Sequence, residues 1–486
     1  MVNGRAWSLK NLLTSLISHR NEFDLTDIEF FRRIFKHRAF QWAVILPNLF
    51  IFIIVVISGF VGTPVGNMSF AVVFVWIVWW FALMTVLTPL FSRLWCMICP
   101  LPAFGDWLQR RGFIKKEGGF RWFGLNKPWP APVKNLWPVN FIFLFIATFI
   151  VLLTTRPVVT SILLLTLFVL GTVLALPFAK RAFCRYICPV GGFLGLYSMF
   201  ASFELRPKDR TLCDHHVTKE CVRGSDTSFG CPWLIYPGGL ERNNFCGLCM
   251  ECIKACPYDN LAVRIRRFGK DLLVKSGRAL DEVYKAHIML ALALIYIAIT
   301  QGPWGWLRDW GNVFYKPTYG FALSGIQGFA IHAAIVWSSS LIIVPGLFYL
   351  FCALSKYLAK GEGSTKNVFI NFSYTLIPIG LAGWIGFSVP IILVNWSYIL
   401  NVISDPLGWG WDLFGTKYIP WQPVLPEAIP YLQILAVIIG LIYSIKYGLE
   451  ISKQLHQDES KARIAFLPIA IFLLLVSILF IWFFTG

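Results

Sequence analysis

Four closely spaced cysteines give this chain its clearest chemical signal. They lie in the segment Cys246-Gly-Leu-Cys249-Met-Glu-Cys252-Ile-Lys-Ala-Cys256-Pro257. The spacing C-x2-C-x2-C-x3-C-P is that of bacterial ferredoxins, in which three thiolates hold one iron–sulfur cluster and the fourth serves a second cluster. The alternatives are a zinc knuckle or reduced structural thiols, but zinc sites seldom use four cysteines this close together that end in Cys-Pro. The segment therefore predicts [4Fe-4S] chemistry.

Three cysteines precede this motif with looser spacing: Cys213, Cys221 and Cys231, the last followed by proline. In a two-cluster ferredoxin the Cys-Pro cysteine of each motif serves the other cluster. On that rule one cluster takes Cys231 together with Cys246, Cys249 and Cys252. A second cluster takes Cys213, Cys221 and Cys256 and lacks one ligand, for which the candidates are Asp214, His215, His216 and solvent. The alternative is a single cluster, with Cys213 and Cys221 in structural roles.

An internal repeat carries four more cysteines. Leu87-Thr-Pro-Leu-Phe-Ser-Arg93 leads to Cys96-Met-Ile-Cys99-Pro, and Leu176-Pro-Phe-Ala-Lys180 leads to Cys184-Arg-Tyr-Ile-Cys188-Pro. Spacings of three and four residues predict that both sulfurs of a pair lie on one helix face. The two pairs together could hold a third cluster or a transient metal, or they are packed small residues with no cofactor.

The rest of the sequence predicts a polytopic membrane protein. It is 57% hydrophobic and 14% charged, with a mean hydropathy of +0.65, and long apolar runs predict membrane helices. No signal peptide is expected, because the first apolar run follows 38 mixed residues. Nine spans are predicted, at residues 40–61, 69–91, 136–155, 157–178, 286–303, 323–352, 367–396, 430–449 and 464–485.

The net charge of +18 is explained by topology. Seven Lys and Arg fall in residues 1–38, eight in 92–134 and seventeen in 179–285, whereas the short loops between these segments contain one. The positive-inside rule then predicts a cytoplasmic (inner) membrane protein with the N-terminus and the iron–sulfur segment in the cytoplasm and the C-terminus outside. A reducing compartment suits twelve cysteines that bind metal. No basic face stands apart from the membrane, so we expect no nucleic-acid partner.

Two histidines fall in membrane segments. His287 lies at the inner edge and His332 deeper, so their different depths argue against a bis-histidine haem. A buried ionisable residue in a membrane helix is a candidate functional residue, and His332 is accordingly a candidate for binding a quinone head group. The alternative is a histidine bonded to a neighbouring helix. We see no residue set for hydrolysis or phosphate transfer, and no catalytic residue is predicted.

Two Cys-Pro helix ends followed by a ferredoxin motif resemble the NapH/NosR/CcoG group of membrane polyferredoxins, over about residues 40–275. Cys184–Pro189 and Cys246–Pro257 match the group's motifs, whereas the first pair departs from it as Cys96-x2-Cys99-Pro100. The resemblance implies electron passage between a quinone pool, or cytoplasmic donors, and a partner oxidoreductase or maturation target. The flavin domain of NosR-like members is not expected here, and the added C-terminal helices differ from the β-sandwich of the copper-reductase branch.

The expected fold is therefore an all-α polytopic membrane protein of about nine helices with an inserted cytoplasmic, ferredoxin-like α+β module. Its expected parts are an amphipathic segment at 1–38, a four-helix membrane domain at 39–200, the iron–sulfur module at 201–280 and a five-helix membrane module at 281–486. The expected role is a non-catalytic electron-transfer subunit with two [4Fe-4S] clusters or three, whose partners are redox subunits, the quinone pool and the bilayer. The alternatives are a copper-reducing maturation factor and a structural subunit with relay clusters.

Overall fold

The computed structural model describes residues 22–110, 123–314 and 325–485. The chain forms two compact units, each built from three separate stretches. The first unit, called the cysteine unit below because it contains eleven of the twelve cysteines, consists of Met1–Phe50, Leu87–Ala131 and Phe168–Ser276. The second, called the helical unit, consists of Ile51–Val86, Pro132–Leu167 and Gly277–Gly486.

Eight helices in the described residues are long and apolar enough to cross a membrane. Helices suit this environment because each satisfies its own backbone hydrogen bonds. All eight match predicted spans, and a membrane protein is confirmed at that level. Their bounds are Phe40–Val61, Phe70–Phe91, Pro157–Ala175, Leu280–Thr300, Gly325–Leu358, Thr365–Ser404, Pro426–Leu455 and Glu459–Thr485.

The ninth predicted span, at 136–155, is built differently. It consists of two successive helices, Trp137–Thr148 and Ile150–Thr155. Phe149 separates them with φ −95° and ψ 13°, outside the helical region. Neither helix alone reaches the roughly 17 residues that a crossing needs. The count of nine, and with it the side on which the chain ends, stays a prediction.

Leu280–Thr300 is the central helix of the helical unit and is buried along most of its length. Its polar atoms are fixed by neighbours in the same unit. The Tyr296 hydroxyl donates to the Ala147 carbonyl at 2.6 Å, and Trp384 Nε1 donates to the Met289 carbonyl at 3.0 Å. The helix begins six residues before the predicted apolar run because Asp281 and Glu282 occupy its first turn, where acidic side chains favour the helix dipole.

A small antiparallel sheet organises the cysteine unit. Its strand order is β1 (Phe23–Asp24), β3 (Leu261–Ile265) and β2 (Phe203–Pro207). Phe203 pairs with Ile265 and Pro207 with Leu261. The sheet, together with short helices, forms an α+β segment around the predicted iron–sulfur motif; whether it is a ferredoxin module stays a prediction.

Part of the N-terminal segment packs on this sheet. Helix Glu29–Lys36 places Phe31 and Phe35 against the apolar core beneath β2 and β3, and Lys36 pairs with Asp259 at 2.7 Å. The remainder of the predicted amphipathic segment, residues 1–21, lies outside the described residues.

The other short helices of the described chain complete the fold. They are Leu94–Ile98, Ala103–Arg110, Ala182–Tyr186, Pro189–Tyr197, Arg210–His215, Glu220–Arg223, Glu251–Ala255 and Gly305–Trp310.

Candidate metal centres

The two helix-end cysteine pairs lie just beyond membrane helices, where proline shapes the backbone. Cys96 and Cys184 each lie in a five-residue helix. Cys99 has φ −66° and ψ 129°, and Cys188 has φ −62° and ψ 117°, so both have left the helix. Each precedes a proline, whose ring disfavours the helical region for the preceding residue. The expectation that each pair shares one helix face is therefore wrong.

These four cysteines nevertheless converge in the cysteine unit. All are buried. Burial raises the pKa values of the Cys99 and Cys184 thiols well above the usual range of a cysteine, and it raises the pKa of Cys188 to about 11. Neighbouring thiols raise these pKa values further. For Cys184 those neighbours are the other three members of the group. We call these four residues the helix-end group; four buried thiols are the usual ligand set of a [4Fe-4S] cluster.

Arg181 lies beside the helix-end group and is fully buried. Its Nε and Nη2 donate to Asp106 Oδ2 at 2.9 and 2.6 Å, and its Nη1 donates to the Cys96 carbonyl at 3.1 Å. Its positive charge lowers the pKa of Cys99 and Cys184 against the larger effect of burial. Arg181 therefore favours thiolates in this group while Asp106 balances its charge.

A second buried arginine, Arg93, is incompletely paired. Its guanidinium lies 4.5 Å from the centroid of the Trp233 ring, and Nη1 donates to the Asn244 carbonyl. Within the described chain, its buried Nε and Nη2 have no hydrogen-bond partner. A buried cation is costly unless a negative charge compensates it. Arg93 acts against burial to lower the pKa of both Cys188 and Cys246, so thiolates at these positions would supply that charge.

A second set of four cysteines, which we call the motif group, consists of Cys231, Cys246, Cys249 and Cys252. Burial raises the pKa of Cys252 well above its usual range, and the other three thiols are among its next causes. Burial likewise raises the pKa of Cys249 to about 12 and that of Cys246 to about 11. The structure thus brings together the four residues that the ferredoxin rule assigned to one cluster.

The loop between the motif cysteines is held in an unusual conformation. Leu248 and Met250 have φ of 48° and 62°, in the left-handed region that non-glycine residues rarely adopt. Gly247 packs against an indole, since a Cβ at that position would lie 2.4 Å from Trp233 Nε1. Alternating backbone conformations of this kind let a short loop curl around a compact ligand.

A buried ion-pair network anchors the start of this loop. Arg266 Nη2 donates to Asp271 Oδ2 at 2.9 Å, and the same oxygen accepts from the Asn243 backbone N–H at 2.7 Å. Burial opposes ionisation of Asp271, but Arg266 and Arg206 outweigh it and hold its pKa below the usual range. The network therefore fixes the segment that leads into Cys246.

The remaining three cysteines of the cysteine unit line one small cavity, and we call them the open group: Cys213, Cys221 and Cys256. Asn260 donates to two of their sulfurs, from Nδ2 to Cys213 Sγ at 3.3 Å and from its backbone N–H to Cys256 Sγ at 3.4 Å. Burial raises the pKa of Cys221 to about 12, and the two other thiols of the group contribute next. The open group contains three thiols where a [4Fe-4S] cluster takes four ligands.

The spacing of the side chains bears on which kind of metal centre each group could hold. Among the described residues, no three Cys, His, Asp or Glu side chains converge tightly enough to hold one ion. Sulfurs on a tetrahedral zinc would lie about 3.8 Å apart, given a Zn–S bond of about 2.3 Å. A four-iron cluster binds one thiolate on each iron and so spaces its ligands more widely. Arg93, with its two unpartnered nitrogens, adds a cation suited to an anionic cluster.

His332, the candidate quinone ligand, is completely buried in the helical unit. Its Nδ1 lies 3.1 Å from the Leu307 carbonyl, to which it can donate. The same unit contains an apolar cavity of about 510 Å³ that His332 does not line. The role of His332 stays a prediction. The cavity is lined mainly by apolar and aromatic side chains, with a few polar groups, among them Trp76, Tyr296, Gln301, Arg308, Trp384 and Phe387.

Sequence reasoning missed Arg93 and Arg181, although a signal was present. Each lies three residues before the first cysteine of its repeat, at Cys96 and Cys184. An arginine repeated at the same offset from two cysteine pairs indicates a shared task. Its meaning emerges only when the fold buries both arginines beside the sulfurs.

Each helix-end repeat is similar to a known iron–sulfur domain. The family model described as "4Fe-4S binding domain" matches residues 72–121 and again residues 160–208. These two stretches contain the helix-end group and lie outside the Cys246–Pro257 motif.

Two curated proteins resemble parts of the chain. An uncharacterized protein of Methanocaldococcus jannaschii is 32% identical over 85 residues, which cover 18% of this chain and 32% of that protein. YccM of Escherichia coli K12, described as "putative electron transport protein", is 29% identical over 80 residues, which cover 16% of this chain and 20% of that protein. The chain thus spans under a third of the length of either relative. No solved structure matches it.

Proposed function

We propose that this chain is a membrane-bound electron-transfer subunit whose three cysteine groups hold [4Fe-4S] clusters. The observation that carries the proposal is the succession of the groups within one unit. Arg181 donates from Nη1 to the Cys96 carbonyl of the helix-end group at 3.1 Å, and from its backbone N–H to the carbonyl of Pro232, next to Cys231 of the motif group, at 3.0 Å. The Cys231 backbone N–H in turn donates to the Cys221 carbonyl of the open group at 2.9 Å. The three groups therefore follow one another as a relay would require.

The residues around the groups suit this role. Bound [4Fe-4S] clusters would supply one-electron chemistry, while the protein sets their position and electrostatics. The thiols of the helix-end group are buried, which excludes water, and Arg93 and Arg181 provide positive charge. The match of both repeats to a 4Fe-4S binding domain and the description of YccM also support a role in electron transfer.

We further propose that the membrane part connects this relay to a quinone pool and to partner redox subunits. Support comes from the apolar cavity in the helical unit, whose size and lining suit a lipid-soluble ring. The excess of Lys and Arg in residues 1–38, 92–134 and 179–285 supports a cytoplasmic location for the cysteine unit. Electrons would enter from a quinol or from a cytoplasmic donor and leave to a partner oxidoreductase.

The first experiment is iron and acid-labile sulfide counting on anaerobically purified protein, with low-temperature EPR after dithionite reduction. Three clusters require about twelve iron atoms per chain. The Cys188→Ser variant should lose about four of them, and Cys352→Ser, a buried cysteine outside the three groups, should lose none. About four iron atoms with stoichiometric copper would instead support a copper-handling role for the helix-end group.

Quinone coupling is tested separately. Adding a short-chain quinol to the oxidised protein should reduce the clusters, as followed by bleaching of their visible absorbance. Trp384→Ala, which changes the cavity lining, should slow this reduction while dithionite still reduces the clusters fully. Reduction by dithionite but by no quinol would support a relay subunit that binds no quinone itself.

A further inference from the structure

The open group is one ligand short, and the structure identifies a residue beside it. Cys213, Cys221 and Cys256 line a single cavity, and His216 lines the same cavity. The His216 side chain is only 12% exposed. An imidazole is an established alternative to thiolate on iron–sulfur clusters, as in Rieske centres. The cavity wall thus includes three thiols and one imidazole.

Hydrogen bonds fix the orientation of this imidazole. His216 Nε2 lies 2.8 Å from Glu220 Oε2 and 2.9 Å from the Thr218 hydroxyl. The Thr218 hydroxyl donates to Glu220 Oε1 at 2.7 Å, so it accepts from His216 Nε2–H. In the described part of the chain, Nδ1 of His216 has no hydrogen-bond partner. Because the Thr218 proton goes to Glu220, the neutral tautomer that fits these contacts donates from Nε2 and leaves the lone pair of Nδ1 available.

This arrangement is the one found around metal-bound histidines. A ligating imidazole almost always donates its second ring N–H to a carboxylate or carbonyl, which sets the tautomer and raises the basicity of the ligating nitrogen. Here the Thr218 hydroxyl accepts from Nε2 and donates to Glu220 Oε1, so Glu220 acts on the imidazole through Thr218; Glu220 directly precedes Cys221. The Tyr258 ring packs edge-to-face on the imidazole at 5.0 Å between centroids and restricts its rotation.

The competing ligands fit less well. Asp214 and His215 are both exposed, and neither lines the cavity. His215 uses its Nδ1 to bond the Thr211 carbonyl at 2.7 Å. Asn260 lines the cavity, but it donates N–H groups to the Cys213 and Cys256 sulfurs and so acts on ligands that are already present.

We infer that His216 Nδ1 is the fourth ligand of a [4Fe-4S] cluster in the open group, with Glu220 as its positioning residue. The inference rests on the proposed function, since it requires a cluster at this group. A neutral imidazole replaces an anionic thiolate, so this cluster carries one negative charge fewer than an all-cysteine cluster. Its reduction potential should accordingly be higher than that of the motif group, as histidine ligation raises the potential of Rieske centres.

The test is hyperfine spectroscopy on the full-length reduced protein in detergent, with histidine labelled by ¹⁵N. Wild type should show strong nitrogen coupling to a cluster, and the coupling should change with the label. It should vanish in His216→Cys, which keeps a full cluster but lowers its potential. It should persist in His215→Ala, the neighbouring exposed histidine. In His216→Ala, oxidation should release about one iron and give a three-iron signal.

The outcomes distinguish a failure of the proposed cluster at the open group from a failure of its histidine ligand. Iron counting that finds no cluster dependent on Cys213 and Cys256 would overturn both the cluster at the open group and its histidine ligand. A cluster that depends on these cysteines but shows no histidine coupling would overturn His216 alone. Equal loss of coupling in His215→Ala would reassign the ligand to His215.

Discussion

Replacing Arg93 by methionine should lower the reduction potentials of two clusters at once. Arg93 is buried and acts on Cys188 of the helix-end group and on Cys246 of the motif group. If the separation between the Arg93 charge and a cluster charge is taken as about 8 Å, with an effective dielectric constant of about 20, the interaction is about 2 kcal/mol. A free energy of about 1.4 kcal/mol changes an equilibrium constant tenfold, which corresponds to about 59 mV for a one-electron couple. Each reduction potential should therefore fall by about 90 mV.

Potentiometric titration with EPR detection measures this shift on intact protein. Arg93→Lys should restore most of both potentials, because it keeps the charge, although it loses the guanidinium contacts with Asn244 and with the Trp233 ring. Arg223→Met is the matched control, since Arg223 lies on the same unit but is exposed and its charge is screened by water. A shift in one cluster only would show that Arg93 does not act on both groups. Unchanged potentials at full iron content would refute the electrostatic role altogether.

Two further changes test the supports of the motif group. Asp271→Asn should destabilise the cysteine unit by about 1–3 kcal/mol, because it removes one of the two carboxylates that pair with the buried Arg266 and leaves only Glu204; thermal loss of cluster absorbance measures this. Arg266 and Arg206 hold the pKa of Asp271 below its usual range, although burial opposes this. The stabilisation from ionised Asp271 is therefore fully present at pH values above the ordinary Asp pKa and is lost as the pH falls through the lower, native pKa. In the variant this stabilisation should be missing at every pH. Gly247→Ala should cost about four iron atoms because its Cβ would clash with Trp233, whereas Gly239→Ala meets only ordinary contacts and should cost none.

Hydropathy predicted the membrane helices well because burial in lipid requires long apolar runs. The predicted span 40–61 coincides with Phe40–Val61. The errors lie at helix ends, where polar residues continue the helix without an apolar signal, as at Glu459 five residues before the predicted start. Hydropathy also gave no sign of the break at Phe149, which depends on the local backbone of an otherwise apolar run. Strand β1 was missed because a strand of two residues is too short to show the alternation of apolar and polar side chains. It forms by pairing with β3.

Cysteine spacing predicts which sulfurs share a cluster, but it does not predict their surroundings. The rule that exchanges Cys-Pro cysteines between clusters assigns Cys231 to the motif group; the structure places Cys231 near Cys252 and also beside Cys221, so this assignment stays a prediction. Spacing could not choose among Asp214, His215 and His216, because adjacent residues differ only in where the folded backbone points them. That choice needed the cavity and the hydrogen bonds that the fold creates.

The two helix-end repeats share backbone geometry as well as sequence, and this explains how unequal spacings build one group. Ser92 and Lys180 both have a positive φ, of 60° and 54°, at the end of each membrane-side segment just before the arginine. The first pair has two intervening residues and the second has three. The extra residue is Ile187, which sits between the helix end at Tyr186 and Cys188 with φ −123° and ψ −39°.

Because the insertion falls outside the five-residue helix and before the proline, it leaves both ends of the repeat unchanged. Cys96 and Cys184 stay helical, and Cys99 and Cys188 stay extended. The proline and the positive-φ turn, rather than the number of residues between the sulfurs, fix the direction of the chain at each cysteine. A departure from Cys-x3-Cys-Pro therefore does not argue against a cluster at the helix-end group.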